Sequence, residues 1–128
     1  MILLDGKSLT IEQVIAAARR GERVEIDSSA YGRIDRAREY VERKLDEGAA
    51  VYGLTTGFGK FSDTYISCDD TAVLQRNLIK SHACSMGEPL SEEVVRAVML
   101  LRANALCRGN SGIRRSTIDT LLAMLNCD

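Results

Sequence analysis

The chain has few of the residues from which metal sites and aromatic cores are usually built. Its 128 residues include no tryptophan, two phenylalanines, one proline and a single histidine, His82. The four cysteines show no C-x-x-C spacing; they are Cys68, Cys84, Cys107 and Cys127. With one imidazole available, no zinc ligand set is formed, so we expect no metal site. We expect free thiols in a cytoplasmic protein rather than a disulfide framework.

An excess of charge and long hydrophobic runs are also missing. The 17 Lys and Arg residues nearly balance the 18 Asp and Glu residues, which gives a net charge of −1. This balance does not favour a nucleic acid or an anionic membrane surface as partner. No apolar run approaches the roughly 20 residues that cross a bilayer. The first residues lack the basic start and long apolar stretch of a signal peptide.

Helical spacing of apolar residues dominates what is present. We predict a mainly α fold in a single domain, residues 1–128. The predicted helices follow caps at Thr10, at Ser28 or Ser29, at Asp70, at Ser91 and at Ser111, and the last four cover about 29–47, 71–83, 92–108 and the C-terminal residues. The predicted short strands are 1–4, 24–27 and 49–54.

The helix predicted for 92–108 carries apolar residues on more than one face. Val94, Val95, Val98 and Leu101 are among them. Such a helix is typically buried in a larger body. The last helix also has no terminating glycine before Asp128, so we expect the chain to be part of a longer protein.

A glycine-punctuated loop follows the third predicted strand and carries Tyr52. Its glycines are Gly53, Gly57 and Gly59. A phosphate-binding P-loop needs four residues between its first glycine and Gly-Lys, whereas five separate Gly53 from Gly59, and Phe61 occupies the hydroxyl position. A dinucleotide fingerprint fails because its third glycine is replaced by a serine. The simple alternative is a tight turn that needs positive φ values.

Tyr52 and His82 are the candidate acid/base residues. A tyrosine is more often a packed residue with a satisfied hydroxyl. As a base near neutral pH, a phenol must lose its proton well below its usual pKa of about 10, which requires positive charge or hydrogen-bond donors nearby. His82 lies near a predicted helix end, where the helix dipole favours a cation. Neither residue alone indicates a function.

Five blocks in order resemble the aromatic amino acid lyases. They are YGLTTGFG at 52–59, LQRNL at 74–78, SH at 81–82 followed by GEP at 87–89, RANAL at 102–106 and RGNSGIR at 108–114. The first block resembles the Tyr-loop of the family. The Ser81-His82 pair resembles the selectivity position of its histidine-specific members. Residues before Tyr52 match only loosely.

The resemblance implies a function for each block. Enzymes of this family remove ammonia from an aromatic L-amino acid. Tyr52 is expected to be the base on a mobile loop, with Gly53, Gly57 and Gly59 allowing closure. Ser81 and His82 are expected to contact the substrate, because one neutral imidazole can pair with another. The implied reaction is L-histidine to urocanate and ammonia.

The resemblance also implies a cofactor and an assembly. The family electrophile is 4-methylideneimidazol-5-one (MIO), which forms from an Ala-Ser-Gly tripeptide of the chain itself. No Ala-Ser-Gly occurs in these residues. The family fold is all-helical, its chains are several hundred residues long, and its members are homotetramers. We therefore expect an N-terminal fragment that is inactive alone and that exposes apolar surface.

Thr55 departs from the histidine-specific pattern, which usually has Asn there. A threonine is familiar from relatives that act on phenylalanine or tyrosine. An MIO enzyme of other specificity, or an aminomutase, is therefore a second hypothesis. A non-catalytic helical interaction module is a third.

Overall fold

The computed structural model describes residues 1–48, 50–61, 66 and 68–127, and over these residues the predicted mainly α fold is confirmed. Among these residues, two short strands and five α-helices follow one another, with one short 3-10 helix, Gly59–Phe61, between the second and third helices. The elements are β1 (Ile2–Leu4), α1 (Ile11–Arg20), β2 (Val24–Ile26), α2 (Ser28–Asp46), α3 (Cys68–His82), α4 (Glu92–Leu106) and α5 (Arg115–Asn126). No helix among the described residues is long and apolar enough to span a membrane.

Contacts within the chain form two compact units. Unit 1 comprises Met1–Val41 and Pro89–Asp128, and unit 2 comprises Glu42–Glu88. Helix α2 begins in unit 1 and ends in unit 2. The expectation of a single domain, residues 1–128, stays a prediction.

The core of unit 1 lies between a two-stranded parallel sheet and four helices, α1, α2, α4 and α5. Strands β1 and β2 pair in parallel, with Ile2 opposite Val24 and Leu4 opposite Ile26. Helix α4 packs against both α1 and α5. The buried core consists almost entirely of aliphatic side chains, including Leu4, Val24, Ile34, Leu100, Ile118 and Leu125. At the free edge of β2, the Asn126 side chain accepts from Val24 N at 2.9 Å and donates to Val24 O at 2.8 Å.

The predicted start of α1 is confirmed in detail. Thr10 accepts a hydrogen bond from Gln13 N at 3.3 Å, and the Gln13 side chain accepts one from Thr10 N at 2.9 Å. This reciprocal pair is a capping box, which satisfies two backbone donors at the helix start. Gly21 ends the helix with φ +62°.

Three other predicted boundaries were wrong by a few residues. Helix α2 is capped by Asp27, not by either serine: its carboxylate accepts from Ser29 N at 2.8 Å. Hydrogen bonds from the Ser29 hydroxyl and then its backbone N–H hold the pKa of Asp27 below its usual value. Helix α3 already contains Asp70, the expected cap. Helix α5 begins at Arg115, beyond the expected cap at Ser111.

The Ser111 prediction failed because the preceding segment packs along α2. A Cβ atom at Gly109 would lie 2.6 Å from the carbonyl carbon of Arg33, and one at Gly112 would collide with Val41. Both glycines have positive φ, +74° and +65°. The two glycines therefore allow the chain to touch α2 directly, and a helix can begin only after the contact ends.

The strand predicted for 49–54 is also wrong, since the described residues of this segment form a turn. Leu54 N and Thr55 N both donate to Val51 O at 3.0 Å. Gly53 has φ +71°, a value that a strand does not allow. The apolar run predicts a strand, but local hydrogen bonds with Thr55 and Thr56 determine its conformation.

Candidate active site

The tyrosine loop is held in shape by two buried threonine hydroxyls. Thr55 and Thr56 are the buried polar residues of the described chain. Thr55 Oγ1 accepts from Val51 N at 2.8 Å. Thr56 Oγ1 accepts from Gly53 N at 3.3 Å and donates to Gly57 O at 3.1 Å. These bonds satisfy backbone groups that a loop would otherwise leave to water.

Tyr52 lies at the outer side of this turn. Its side chain is 64% exposed, and its ring meets Phe58 edge-on with centroids 6.1 Å apart. Its hydroxyl makes no hydrogen bond within the part of the chain that the structure describes. The predicted base is therefore accessible in this conformation, and it is oriented mainly by the aromatic contact.

The three loop glycines differ in what they do. Gly53 combines positive φ with a close contact, because a Cβ atom there would lie 3.3 Å from the Phe58 ring. Gly59 has φ +56° but open space around it. Gly57 is buried. The tight-turn interpretation therefore holds for Gly53 and Gly59, while their role in loop closure stays a prediction.

His82 lies at the last position of α3 with a defined ring orientation. Its Nδ1 is 2.9 Å from Leu78 O and 3.0 Å from Ser81 Oγ. The Ser81 hydroxyl donates to the same Leu78 carbonyl at 2.9 Å. A carbonyl oxygen only accepts, so we assign the proton of the neutral ring to Nδ1. Nε2 is then an exposed acceptor without a partner among the described residues.

A groove of about 400 Å³ connects the loop with α3 inside unit 2. The loop contributes Gly57 and Phe58, and Ile66 lies beside them. The helix contributes one face, Leu74, Asn77, Leu78 and Ser81, at the i, i+3, i+4, i+7 spacing of a helical stripe. Apolar walls with a few polar groups are typical of small-molecule sites.

The groove brings together some of the predicted site residues. Gly57 and Ser81 line it, whereas Tyr52, Gly53, Gly59 and His82 are not among its lining residues. The exposed Asn77 was missed by sequence reasoning. Its spacing of four residues from Ser81 was the available signal, because residues i and i+4 of a helix share a face.

The described residues offer no metal ligand cluster, since no three His, Cys, Asp or Glu side chains among residues 1–48, 50–61, 66 and 68–127 are placed to share an ion. Cys107 is completely buried in unit 1. Burial raises the pKa of its thiol to about 11, with Arg33 acting in the opposite direction. A thiol of this kind is a poor nucleophile.

The chain is similar to known proteins over almost its whole length. Residues 9–128 match the family model described as aromatic amino acid lyase. A histidine ammonia-lyase of Caldanaerobacter subterraneus subsp. tengcongensis is 55% identical over 125 residues, which is 98% of this chain and 25% of that protein.

Solved structures show the same likeness. Histidine ammonia-lyase from Trypanosoma cruzi superposes with a TM-score of 0.88 at 39% identity, over 98% of this chain and 24% of that one. The ergothioneine-degrading enzyme ergothionase from Treponema denticola gives 0.92 at 34% identity, over 98% and 25%. The chain thus spans about a quarter of the length of these relatives. It belongs to the aromatic amino acid lyase family.

Proposed function

We propose that this chain is the segment of a histidine ammonia-lyase that carries the tyrosine loop and the selectivity helix, in an enzyme that converts L-histidine to urocanate and ammonia. The observation that carries the proposal is the 55% identity to a histidine ammonia-lyase over 125 residues. The Ser81-His82 pair beside the groove supports histidine as the substrate. The chain represents a quarter of that relative, so the reaction belongs to the whole enzyme.

His82 is proposed to recognise the substrate ring. With its proton on Nδ1 and shared with Leu78 O, its Nε2 presents a lone pair. A neutral imidazole of the substrate offers one N–H donor, which can pair with that lone pair. Leu78 thus orients His82 through its backbone carbonyl, and Ser81 braces the same oxygen.

Tyr52 is proposed to take the β-proton of the substrate or to help pass it on. In the present conformation its ring is largely exposed, and the described residues give its hydroxyl no donor. A phenolate forms near neutral pH only when donors or positive charge stabilise it. In this proposal, closure of the loop over the groove brings Tyr52 to such groups and excludes water.

The MIO electrophile is not formed by these residues, because no Ala-Ser-Gly is present in them. In the family it supplies an electrophilic centre for loss of the amine. The 128 residues therefore contribute binding, orientation and a proton acceptor. We propose that the assembled enzyme is a homotetramer and that it is located in the cytoplasm. The assembly is supported by exposed apolar side chains of α4, namely Val94, Val95, Val98 and Leu101.

A chimera tests the proposal. This chain would replace the matching quarter of the Caldanaerobacter enzyme, and urocanate would be followed by its ultraviolet absorbance. We expect turnover of L-histidine, with kcat reduced at least about 100-fold by Tyr52→Phe, as for loss of a general base. The matched control is Tyr40→Phe, since Tyr40 is an exposed tyrosine of α2. A folded chimera without activity on any aromatic amino acid would refute the proposal.

A second candidate is an MIO enzyme of other specificity, and Thr55 is the observation that favours it. The Thr55 hydroxyl accepts a hydrogen bond from Val51 N, so in this conformation the residue helps to hold the loop in shape. Testing the chimera on L-phenylalanine and L-tyrosine as well separates the two. A preference for either over L-histidine would select the second candidate.

A further inference from the structure

A polar groove in unit 1 is lined by three arginines and is not used in the proposed reaction. Its volume is about 320 Å³, and its walls are Arg33, Arg36, Ala37, Arg108, Gly109 and Asn110. The arginines come from the first half of α2 and from the loop after α4. Three guanidinium groups around one depression create a positive field in a chain of net charge −1.

Close backbone contacts hold this loop against α2. Gly109 has no side chain to separate it from Arg33, where a Cβ atom would be 2.6 Å from the carbonyl carbon. Gly6 similarly accommodates Arg108, because a Cβ atom there would lie 2.8 Å from Arg108 Cγ. The stem of Arg108 is therefore fixed near α2 before a ligand binds. Binding then costs less side-chain entropy than it would for a mobile arginine.

The three arginines have different tasks. Arg33 donates to Ser29 O at 2.9 Å and to Asp5 O at 2.7 Å, so its guanidinium is tethered to the backbone. Its Nε is buried without a partner in the described structure. Arg36 and Arg108 are exposed, and neither forms an ion pair among the residues described. The latter two are free to contact a ligand, and Arg33 adds a fixed charge.

Neighbouring carboxylates only partly balance this charge. Asp5 and Asp27 lie near Arg33 and keep their charge while they accept backbone hydrogen bonds: Lys7 and Ser8 donate to Asp5 at 2.7 and 2.8 Å. Ser29 N donates to Asp27 at 2.8 Å. Three guanidinium groups therefore face two neighbouring carboxylates, which leaves an excess of one positive charge at this groove.

Arg108 is not needed to cap α4. A cation near a helix C-terminus often serves the last carbonyls. Here Cys107 N donates to Ala103 O at 3.0 Å, Arg108 N to Ala105 O at 3.3 Å, and Gly109 N to Leu106 O at 3.1 Å. Backbone groups thus satisfy these carbonyls, and the guanidinium of Arg108 is available for another function.

We propose that this groove binds a small dianion of the phosphate class through Arg36 and Arg108. Guanidinium forks match the geometry of phosphate oxygens and can donate two parallel hydrogen bonds each. The exposed Arg36 and Arg108 together supply two positive charges for a dianion. Asn110 at the rim adds an amide that can donate to a third oxygen.

Titration of the full chain with inorganic phosphate at constant ionic strength tests the site. Amide resonances are followed by NMR. We expect saturable shifts at Arg36, Gly109 and Asn110, and much weaker binding of acetate. Arg36→Gln and Arg108→Gln are each expected to weaken binding about tenfold, the effect of removing one charged hydrogen-bond donor. Arg36→Lys keeps the charge but loses the fork, so its affinity is expected to lie between wild type and Gln.

Arg76→Gln is the matched control, because Arg76 is an exposed arginine of α3 with no described partner. It should leave phosphate binding unchanged. Equal shifts with chloride, binding of acetate as tight as phosphate, or unchanged binding in both Arg36→Gln and Arg108→Gln would overturn the proposal. Circular dichroism verifies that the variants are folded.

Discussion

Unit 1 and unit 2 are stabilised by different means. In unit 1, aliphatic side chains from the sheet, from α1, α4 and α5, and from the first part of α2 are buried together. In unit 2, the described side chains of α3 are exposed apart from the half-buried Leu74 and Leu78. The tyrosine loop there is organised by threonine hydroxyls. Unit 1 is therefore suited to provide stability, and unit 2 to rearrange around a ligand.

Within unit 1, two adjacent leucines of α4 separate the buried core from the surface. Leu100 is fully buried, whereas Leu101 is 51% exposed. We expect Leu100→Ala to lower the free energy of unfolding by about 2 to 5 kcal/mol, because it leaves a cavity in a packed core. Leu101→Ala is the matched control and should cost under about 1 kcal/mol. Urea denaturation followed by circular dichroism measures both, and equal losses would contradict a core centred on Leu100.

A second comparison uses two glycines with nearly the same backbone conformation. Gly112 has φ +65° and packs on α2, whereas Gly48 has φ +64° and open space around it. Gly112→Ala is expected to cost about 3 kcal/mol, from backbone strain together with overpacking. Gly48→Ala should cost about 1 kcal/mol, from strain alone. An equal loss of stability for both variants in thermal unfolding would mean that Gly112 does not pack tightly against α2.

The buried thiol of unit 1 gives a pH effect. The pKa of Cys107 is raised from 9.0 to about 11 in the folded chain. Between these values the unfolded chain loses its thiol proton first, so stability is fully present below about pH 9 and falls as pH rises toward 11. We expect a contribution of up to about 2 kcal/mol, seen as a flatter alkaline stability profile in Cys107→Ala.

Thiol labelling tests the burial of Cys107 directly, because Cys84 and Cys127 are exposed and serve as a comparison. Both should react quickly with a thiol reagent under native conditions, and Cys107 only on unfolding. Rapid labelling of Cys107 would mean that unit 1 opens locally.

The smallest effect is expected in the loop of unit 2. Thr56→Val removes the hydroxyl that links Gly53 N with Gly57 O. We expect a local loss of about 1 kcal/mol, read as faster hydrogen exchange at the Gly53 amide with little change in global unfolding. Thr120→Val is the control, since its hydroxyl bonds Ser116 O on the exposed face of α5. A global loss of stability would mean that the loop supports the fold.

How far the sequence predicts this structure depends on the range of the interactions involved. The capping box of α1 is local, and it was predicted correctly from Thr10 and Gln13. The start of α5 was not, because contacts of Gly109 and Gly112 with α2 delay it, and these involve residues more than 70 positions away. The strand prediction at Val51 followed the apolar pattern. It was wrong because the hydrogen bond from Val51 N to the Thr55 hydroxyl holds the segment in a turn.

The candidate site divides in the same way. The resemblance identified Tyr52, Ser81 and His82 as candidates. The groove that joins Gly57 to Ser81, and the place of Asn77 in it, required the structure. The Nδ1 contact of His82 with Leu78 O could not be predicted either, because ring orientation depends on side-chain geometry at the helix end. The roles of these residues remain predictions.

The segment from Gly109 to Gly112 contacts α2 at Arg33, Ala37 and Val41, which are spaced by four and so lie along a single stripe of the helix. Gly109 and Gly112, which have no side chains, thus contact two points on that stripe. Asn110 and Ser111 between them are exposed, so their side chains do not limit this contact with α2. The spacing of the glycines does limit it, because one inserted or deleted residue would place a side chain where only a hydrogen atom fits. The contact with α2 therefore fixes the two glycines and the number of residues between them.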